Sequence, residues 1–281
     1  MNTRTPSASL HDKTILITGA TQGLGRHVAL DLAGRGATLL LHGRDPGRLD
    51  ETAAAVRAVA PDVTVRTFLA DLSDLDQVRV MTARILDTEP RLEVLVNNAA
   101  IGFGTDHTRR EVSAQAHELR FAVNHLAPCF LTRELLPLLT ASAPARVVNV
   151  ASIGQAPIDF DDVMLERDYT GVDAYCRSKL AMIMSTFDLA AELADSEVTV
   201  NAVHPAHLMD TPGVRESGLI PEIGIDEGVR PTVRLITDPA LRTVTGRYFD
   251  RFTDSPAHEQ AYDTAARARL AALTRDLLAP R

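Results

Sequence analysis

Along the chain, short continuous apolar runs alternate with stretches in which apolar residues recur every three to four positions. The runs at 14–18, 38–42, 63–69, 94–96, 146–150, 198–203 and 247–249 predict strands. The periodic stretches predict helices over 24–33, 47–59, 75–86, 114–139, 173–193 and 258–278. The runs TILIT (14–18) and RVVNV (146–150) have no polar alternation, the pattern of parallel strands covered on both faces. Strand–helix alternation of this kind predicts an α/β fold: one doubly wound parallel sheet with helices on both faces. In such a sheet a ligand binds beyond the carboxyl ends of the strands. The positions just after residues 18, 42, 69, 96, 150 and 203 are therefore where chemistry is expected. No internal repeat, low-complexity tract or linker divides the chain. Residues 13–281 read as a single domain, and the polar residues 1–12 as a flexible tail.

Composition narrows the function classes. Apolar residues make up 45% of the 281, enough for a large core. No run approaches the roughly 20 apolar residues of a membrane-spanning helix. The first twelve residues lack the apolar stretch of a secretory signal. Two cysteines, Cys129 and Cys176, cannot form a disulfide framework, which together with the missing signal predicts a cytoplasmic protein with reduced thiols. The net charge of −8, with scattered acids and no basic stripe, argues against nucleic acid as partner. No cluster of Cys, His and carboxylates has the spacing of a metal site.

The first strand runs into Thr18-Gly19-Ala20-Thr21-Gln22-Gly23-Leu24-Gly25. Glycines there let the backbone turn tightly and approach a pyrophosphate, while the helix that follows directs free N–H groups at the anion. A glycine-rich turn alone is a weak signal; its place between a strand and a helix strengthens it. The second strand ends in His42-Gly43-Arg44-Asp45. An acid there would hold the ribose hydroxyls of NAD, whereas Arg44 suits the 2′-phosphate of NADP(H). The alternative is a solvent-facing turn arginine. Asp45, before Pro46, reads as the cap of the next helix. Asp71, ending the third strand, suits an adenine amino group or a helix cap. Asn97-Asn98-Ala99-Ala100, ending the fourth, suits either close backbone approach to a ligand or a plain turn.

The pentad Tyr175-Cys176-Arg177-Ser178-Lys179 puts Tyr and Lys on one helical face. A phenol is a poor base at neutral pH, and a neighbouring ammonium is expected to lower its pKa. Tyr175 can then exchange a proton with an alcohol while a hydride moves. An isolated YxxxK is usually a surface pair, so its company matters. Ser152, just past the fifth strand, can hydrogen-bond a substrate oxygen. Asn124 is a poor helix former inside a predicted helix and needs a reason. Either it orders a water chain toward Lys179, or it satisfies a neighbouring carbonyl.

TGATQGLG, NNAA, the Asn124 helix, the Ala-Ser ending at Ser152 and YCRSK occur in an order that resembles the short-chain dehydrogenase/reductase family, over about residues 13–249. The resemblance implies a Rossmann fold and a catalytic tetrad of Asn124, Ser152, Tyr175 and Lys179, with Lys179 also holding the nicotinamide ribose. It also implies that Gly19, Thr21, Gln22, Gly23, Leu24, Gly25, Asp71, Leu72 and Asn98 line the cofactor; Arg44, Ala99, Ala100, Tyr175, Lys179, Pro205 and Leu208 complete the expected cofactor site. The longer stretch between Ser152 and Tyr175, together with the residues around Asn124 and Tyr175, is similar to the retinol-dehydrogenase-like branch, whose members handle lipophilic substrates. Departures exist. The usual NNAG reads NNAA, Pro205 is followed by Ala206, and Asp210 stands where a threonine is usual, with Thr211 next. Backbone contact near Leu208 is therefore the firmer expectation in that loop.

The insert at 156–172 carries Ile158, Phe160, Val163, Met164 and Leu165. The loop at 206–227 carries Leu208, Met209, Val214, Leu219, Ile220 and Ile223. Together they suggest an apolar lid for a medium-to-large hydrophobic ketone, aldehyde or alcohol; packing within the loops or at a subunit interface explains the same residues. The long helices at 114–139 and 173–193 suggest a homodimer or homotetramer. The expected activity is that of an NADP(H)-dependent oxidoreductase such as a carbonyl reductase, with NAD(H) second. Rival readings are a non-catalytic NADP-binding sensor and an isomerase or dehydratase on a related fold.

Overall fold

The computed structural model describes residues 9–279. Its centre is β1 (Thr14–Ile17), in which Ile15, Leu16 and Ile17 are wholly buried. β2 (Thr38–Gly43), β3 (Val65–Leu69), β4 (Val94–Asn97), β5 (Ala145–Val150), β6 (Val198–His204), β7 (Tyr248–Asp250) and β8 (Thr253–Asp254) complete an eight-stranded sheet in the order β3-β2-β1-β4-β5-β6-β7-β8. Every pair is parallel except β7–β8. The chain leaves β1 in one direction to build β2 and β3, then returns to build β4 on its other side. That reversal opens a crevice at the carboxyl ends of β1 and β4.

The helices are α1 (Gly23–Ala33), α2 (Pro46–Val59), α3 (Leu75–Thr88), α4 (Leu119–Phe121), α5 (Ala127–Ala141), α6 (Gly171–Glu192), α7 (Pro212–Glu216), α8 (Asp226–Thr237) and α9 (Thr264–Leu278). Successive strand residues point to opposite faces. Ile15, Ile17, Leu39 and Leu41 accordingly pack with Val28 and Leu32 of α1 and Val229 and Val233 of α8. Leu16 and Leu40 pack with Val78 and Met81 of α3 and Leu131 and Leu135 of α5. A third cluster joins α6 and α9 through Leu180, Ile183, Phe187 and Leu270. Removing a large side chain from such a layer costs about 2–5 kcal/mol.

Several expected boundaries shift. The stretch expected as helix from residue 114 begins at Leu119, because residues 112–118 form a tight turn with Ala116 at φ 63° and Ser113 N–H bonded to the His117 carbonyl at 2.8 Å. The same stretch is interrupted by a π-helical turn, Ala122–Leu126. The last helix begins at Thr264, capped by Asp263, after a 3₁₀ turn at Glu259–Tyr262. α8 was not expected: Gly228 and Pro231 mask its periodicity. Of the residues expected as a loose tail, 1–8 lie outside the described residues. Leu10 is instead buried in the core, with its N–H bonded to the Arg35 carbonyl at 2.9 Å. Among the described residues no helix is long and apolar enough to cross a membrane.

Candidate active site at the carboxyl ends of the strands

The glycine turn lies where β1 meets α1. Gly19 has φ +64°, and a Cβ there would stand 2.9 Å from Cα of Ala99. A Cβ on Gly25 would collide with the Asn98 amide and the Gly19 carbonyl. The turn is held from the β4 side. Asn98 Nδ2 donates to the carbonyl of Thr18 at 2.8 Å, and Thr18 Oγ1 accepts the N–H groups of Asn98 and Ala99 at 2.9 and 3.0 Å. His42 holds it from the other side: its Nδ1 accepts the Gly19 N–H at 3.2 Å, which leaves Nε2 to donate to the Ala70 carbonyl at 3.1 Å. Burial holds this imidazole down to about 4, so it is neutral. α1 opens at Gln22 without a side-chain cap. Its first N–H groups are thus available for an anion. The residues fit a dinucleotide pyrophosphate.

Arg44 is exposed at the end of β2 and makes no ion pair among the described residues. Arg48 stands one helical turn on, its Nη1 bonded to Gln22 Oε1 at 2.9 Å. The Thr21 methyl fills the space above Gly43. Asp45 caps α2 as expected, accepting the Arg48 N–H at 2.9 Å. Asp71 is not a helix cap: its Oδ1 accepts the Ser73 N–H at 2.8 Å, while Asp74 caps α3. Leu72 is buried in the core beneath it. Ala99 is half-buried and Ala100 exposed.

Ser152, Tyr175 and Lys179 come together over the end of β5. Tyr248 Oη and Gln155 Nε2 both donate to the Ser152 carbonyl, each at 3.1 Å. Ser152 Oγ accepts the Gly154 N–H at 3.0 Å and hydrogen-bonds the Tyr175 phenol. Tyr248 and Gln155 escaped the sequence reading, since nothing in their spacing ties them to Ser152. Lys179 is 1% exposed. Its Nζ donates to the Val150 carbonyl at 2.8 Å and lies 5.7 Å from the centre of the Tyr175 ring. Burial holds Lys179 down to about 7. Burial also pushes the Tyr175 phenol above its ordinary value, outweighing the hydrogen bond with Ser152 that lowers it. Desolvation disfavours the charged form of each group, raising the phenol and lowering the ammonium.

The π-helical turn accounts for Asn124. It places the wholly buried amide against the segment after β4. There Oδ1 accepts the Ile101 N–H at 2.8 Å and Nδ2 donates to the Ile101 carbonyl at 3.0 Å. Nδ2 also donates to Ser178 Oγ at 3.0 Å, and Ser178 in turn bonds the Tyr175 carbonyl at 2.7 Å. The amide is thus satisfied by Ile101 and Ser178.

The insert is partly built into the body of the protein. Ile158 and Leu165 are buried, Ile158 against α6 and α9, and Gln260 clamps the Ile158 backbone by bonds of 2.7 and 3.0 Å. Residues 206–225 do overhang the cleft. Thr211 caps α7 and approaches the position of a Gly23 Cβ at 3.6 Å. Leu208 has φ 38° and its carbonyl accepts the Glu222 N–H at 2.9 Å. Pro205 is buried at the root of the loop, and Leu208, Met209, Val214, Leu219 and Ile223 are half-buried.

The fold, the glycine turn and the Ser-Tyr-Lys cluster define a nucleotide-dependent oxidoreductase of the Rossmann type. The sequence pattern of the family "short chain dehydrogenase" matches residues 13–218. The chain is 33% identical to human retinol dehydrogenase 13 over 94% of its length and 83% of that protein. It is 34% identical to mouse retinol dehydrogenase 14, over 93% and 84% respectively. A crystal structure of a Mycobacterium paratuberculosis protein superposes with a TM-score of 0.78 at 29% identity, covering 97% of this chain and 96% of that one. A Shigella flexneri short chain dehydrogenase complexed with NADP superposes with a TM-score of 0.69 at 26% identity, covering 88% and 100%. This chain belongs to the short-chain dehydrogenase/reductase family, within its retinol-dehydrogenase-like branch, and is an NAD(P)-dependent oxidoreductase of alcohols and carbonyls.

Proposed function

We propose that the protein is an NADP(H)-dependent reductase of medium-to-large hydrophobic ketones or aldehydes, with Tyr175 as general acid/base. The observation that carries this reading is the meeting of Ser152, Tyr175 and Lys179 at the end of β5, across the cleft from the glycine turn. A bound reduced nicotinamide would supply the hydride. Ser152 donates a hydrogen bond to the substrate oxygen, and Tyr175 gives that oxygen its proton. Burial keeps the phenol protonated at neutral pH, the form that reduction uses. The reverse reaction needs the phenolate and is favoured at high pH. Gly19 to Gly25 and Asn98 shape the pyrophosphate turn, and Lys179 holds the ribose. Arg44, exposed and without an ion pair among the described residues, supports NADP(H) over NAD(H), and the NADP complex of the Shigella protein agrees with this choice. The half-buried apolar residues of loop 206–225 and the names of the retinol dehydrogenases support a lipophilic substrate.

Thermal shifts with NADP⁺ and NAD⁺, followed by NADPH oxidation with a panel of carbonyls, test this reading. A larger shift with NADP⁺ and faster turnover of lipophilic carbonyls are expected. A larger shift with NAD⁺, or faster turnover of small hydrophilic sugars, overturns the corresponding part. Tight NADPH binding without oxidation by any carbonyl would make the protein a sensor.

A further inference from the structure

Phe103 lies in the segment that follows β4, among the residues that the strand ends bring into the crevice. Its ring meets that of Tyr175 edge to face, with centroids 5.0 Å apart and planes at 84°. Its backbone is held at both ends. The N–H donates to Ser217 Oγ at 3.2 Å, and Ser217 closes α7 in the loop that overhangs the cleft. The carbonyl accepts Arg120 Nη2 at 3.0 Å, while Arg120 Nε bonds the carbonyl of Gly102, also at 3.0 Å. Arg120 is wholly buried, and its Nη1 stands 3.5 Å from Glu118 Oε1. Asn124 fixes the neighbouring Ile101 through both of its amide atoms. Gly104, next along, has φ +87°, and a Cβ there would collide with Arg120. The segment therefore has one conformation available, and that conformation sets the Phe103 ring against Tyr175.

This arrangement is more than core filling. Phe103 is only half-buried, so part of its surface stays accessible beside Tyr175. It is a single residue joined to the reacting side chain by its ring and to the overhanging loop by its backbone. We propose that Phe103 is a positioning and specificity residue, which shields the Tyr175 phenol from water, links loop 206–225 to it, and forms an apolar wall that selects carbonyls with a bulky hydrophobic substituent. The proposal rests on the oxidoreductase reading of the same site. The other ionisable groups facing the phenol are Lys179 on its own helix, Cys176 beside it and Tyr248 from β7. None of them is altered by changes at Phe103 or Ser217.

Two readouts test it. The first needs no turnover: the ¹³Cζ resonance of Tyr175, assigned by its loss in Tyr175→Phe, is titrated in the free protein. In Phe103→Ala, water reaches the phenol and the ionisation moves to lower pH by about one unit; in Phe103→Tyr, which keeps a ring, it stays in place. The second is kinetic. Phe103→Ala and Ser217→Ala raise KM for a bulky lipophilic carbonyl at least fivefold and leave KM for a short one within twofold. Unchanged titration in Phe103→Ala, or equal loss for both substrates, overturns the proposal. If the wild type reduces no carbonyl at all, the functional reading and the specificity role fall together, and the titration alone decides the shielding role.

Discussion

Lys179 Nζ donates to the main-chain carbonyl of Val150, the last residue of β5, at 2.8 Å. One bond thus ties the third turn of α6 to the strand end from which Ser152 emerges. An ammonium of ordinary pKa would cost several kcal/mol to bury without a carboxylate. The side chain instead has its pKa drawn down to about 7 by burial.

The cost of burying Lys179 has a measurable pH signature. Its unfolded pKa is about 10.4, above the folded value of about 7. Between those limits the unfolded chain binds the extra proton, so the folded state gains stability as pH rises. Lys179→Met removes this dependence. The variant should be more stable than wild type at pH 7, by roughly 4 kcal/mol, with the difference shrinking toward pH 10. Urea unfolding at several pH values checks it; a pH-independent difference sinks the argument. Activity should be lost throughout.

Tyr175→Phe keeps the ring and its contact with Phe103 but removes the transferable proton. Turnover should fall by roughly 10²–10⁴-fold, with NADPH affinity by fluorescence within threefold of wild type. Retention of more than a tenth of wild-type turnover would assign the proton to another group.

Arg44→Ala removes one charge-assisted contact to a 2′-phosphate, worth about 1.5–3 kcal/mol. NADPH should bind roughly 10–100-fold more weakly, while NADH binding changes little. An equal loss for both cofactors would return Arg44 to the role of a turn arginine.

Acid should destabilise the protein well before its carboxylates titrate. Burial holds His42 and His204 down to about 4 and His125 down to about 3. In the unfolded chain these imidazoles take protons near pH 6.5. Stability is therefore full above that pH and falls as pH drops from about 6.5 to about 4. Near pH 5 the slope should approach about 4 kcal/mol per pH unit, the linkage of three protons. Denaturation at pH 7, 6 and 5 measures it, and a slope of one proton or less contradicts the three buried neutral rings.

Much of the architecture was legible in the chain because it depends on local periodicity. Apolar runs such as 14–18 and 146–150 became central strands, and Asp45 before Pro46 became the cap it resembled. The glycine turn and the Tyr175–Lys179 pair were also legible, since each is a short pattern whose geometry follows from neighbours in sequence. Helix α8 was not, because Gly228 and Pro231 are poor helix residues that tertiary packing overrides. Nor was the burial of Leu10, or that of Ile158 against α6 and α9. An apolar residue in a loop reads the same whether it faces a substrate or a core.

By itself, then, the sequence determined most of the order of strands and helices, the glycine turn and the pairing of Tyr175 with Lys179, all matters of spacing along the chain. Only the tertiary structure decided the state of those side chains. It set the burial that pushes the Tyr175 phenol up and Lys179 down, engaged Asn124 with Ile101, and brought Phe103 against Tyr175 and Ser217 against Phe103. Desolvation and contact come from residues distant in sequence, and no local pattern encodes how much water they remove.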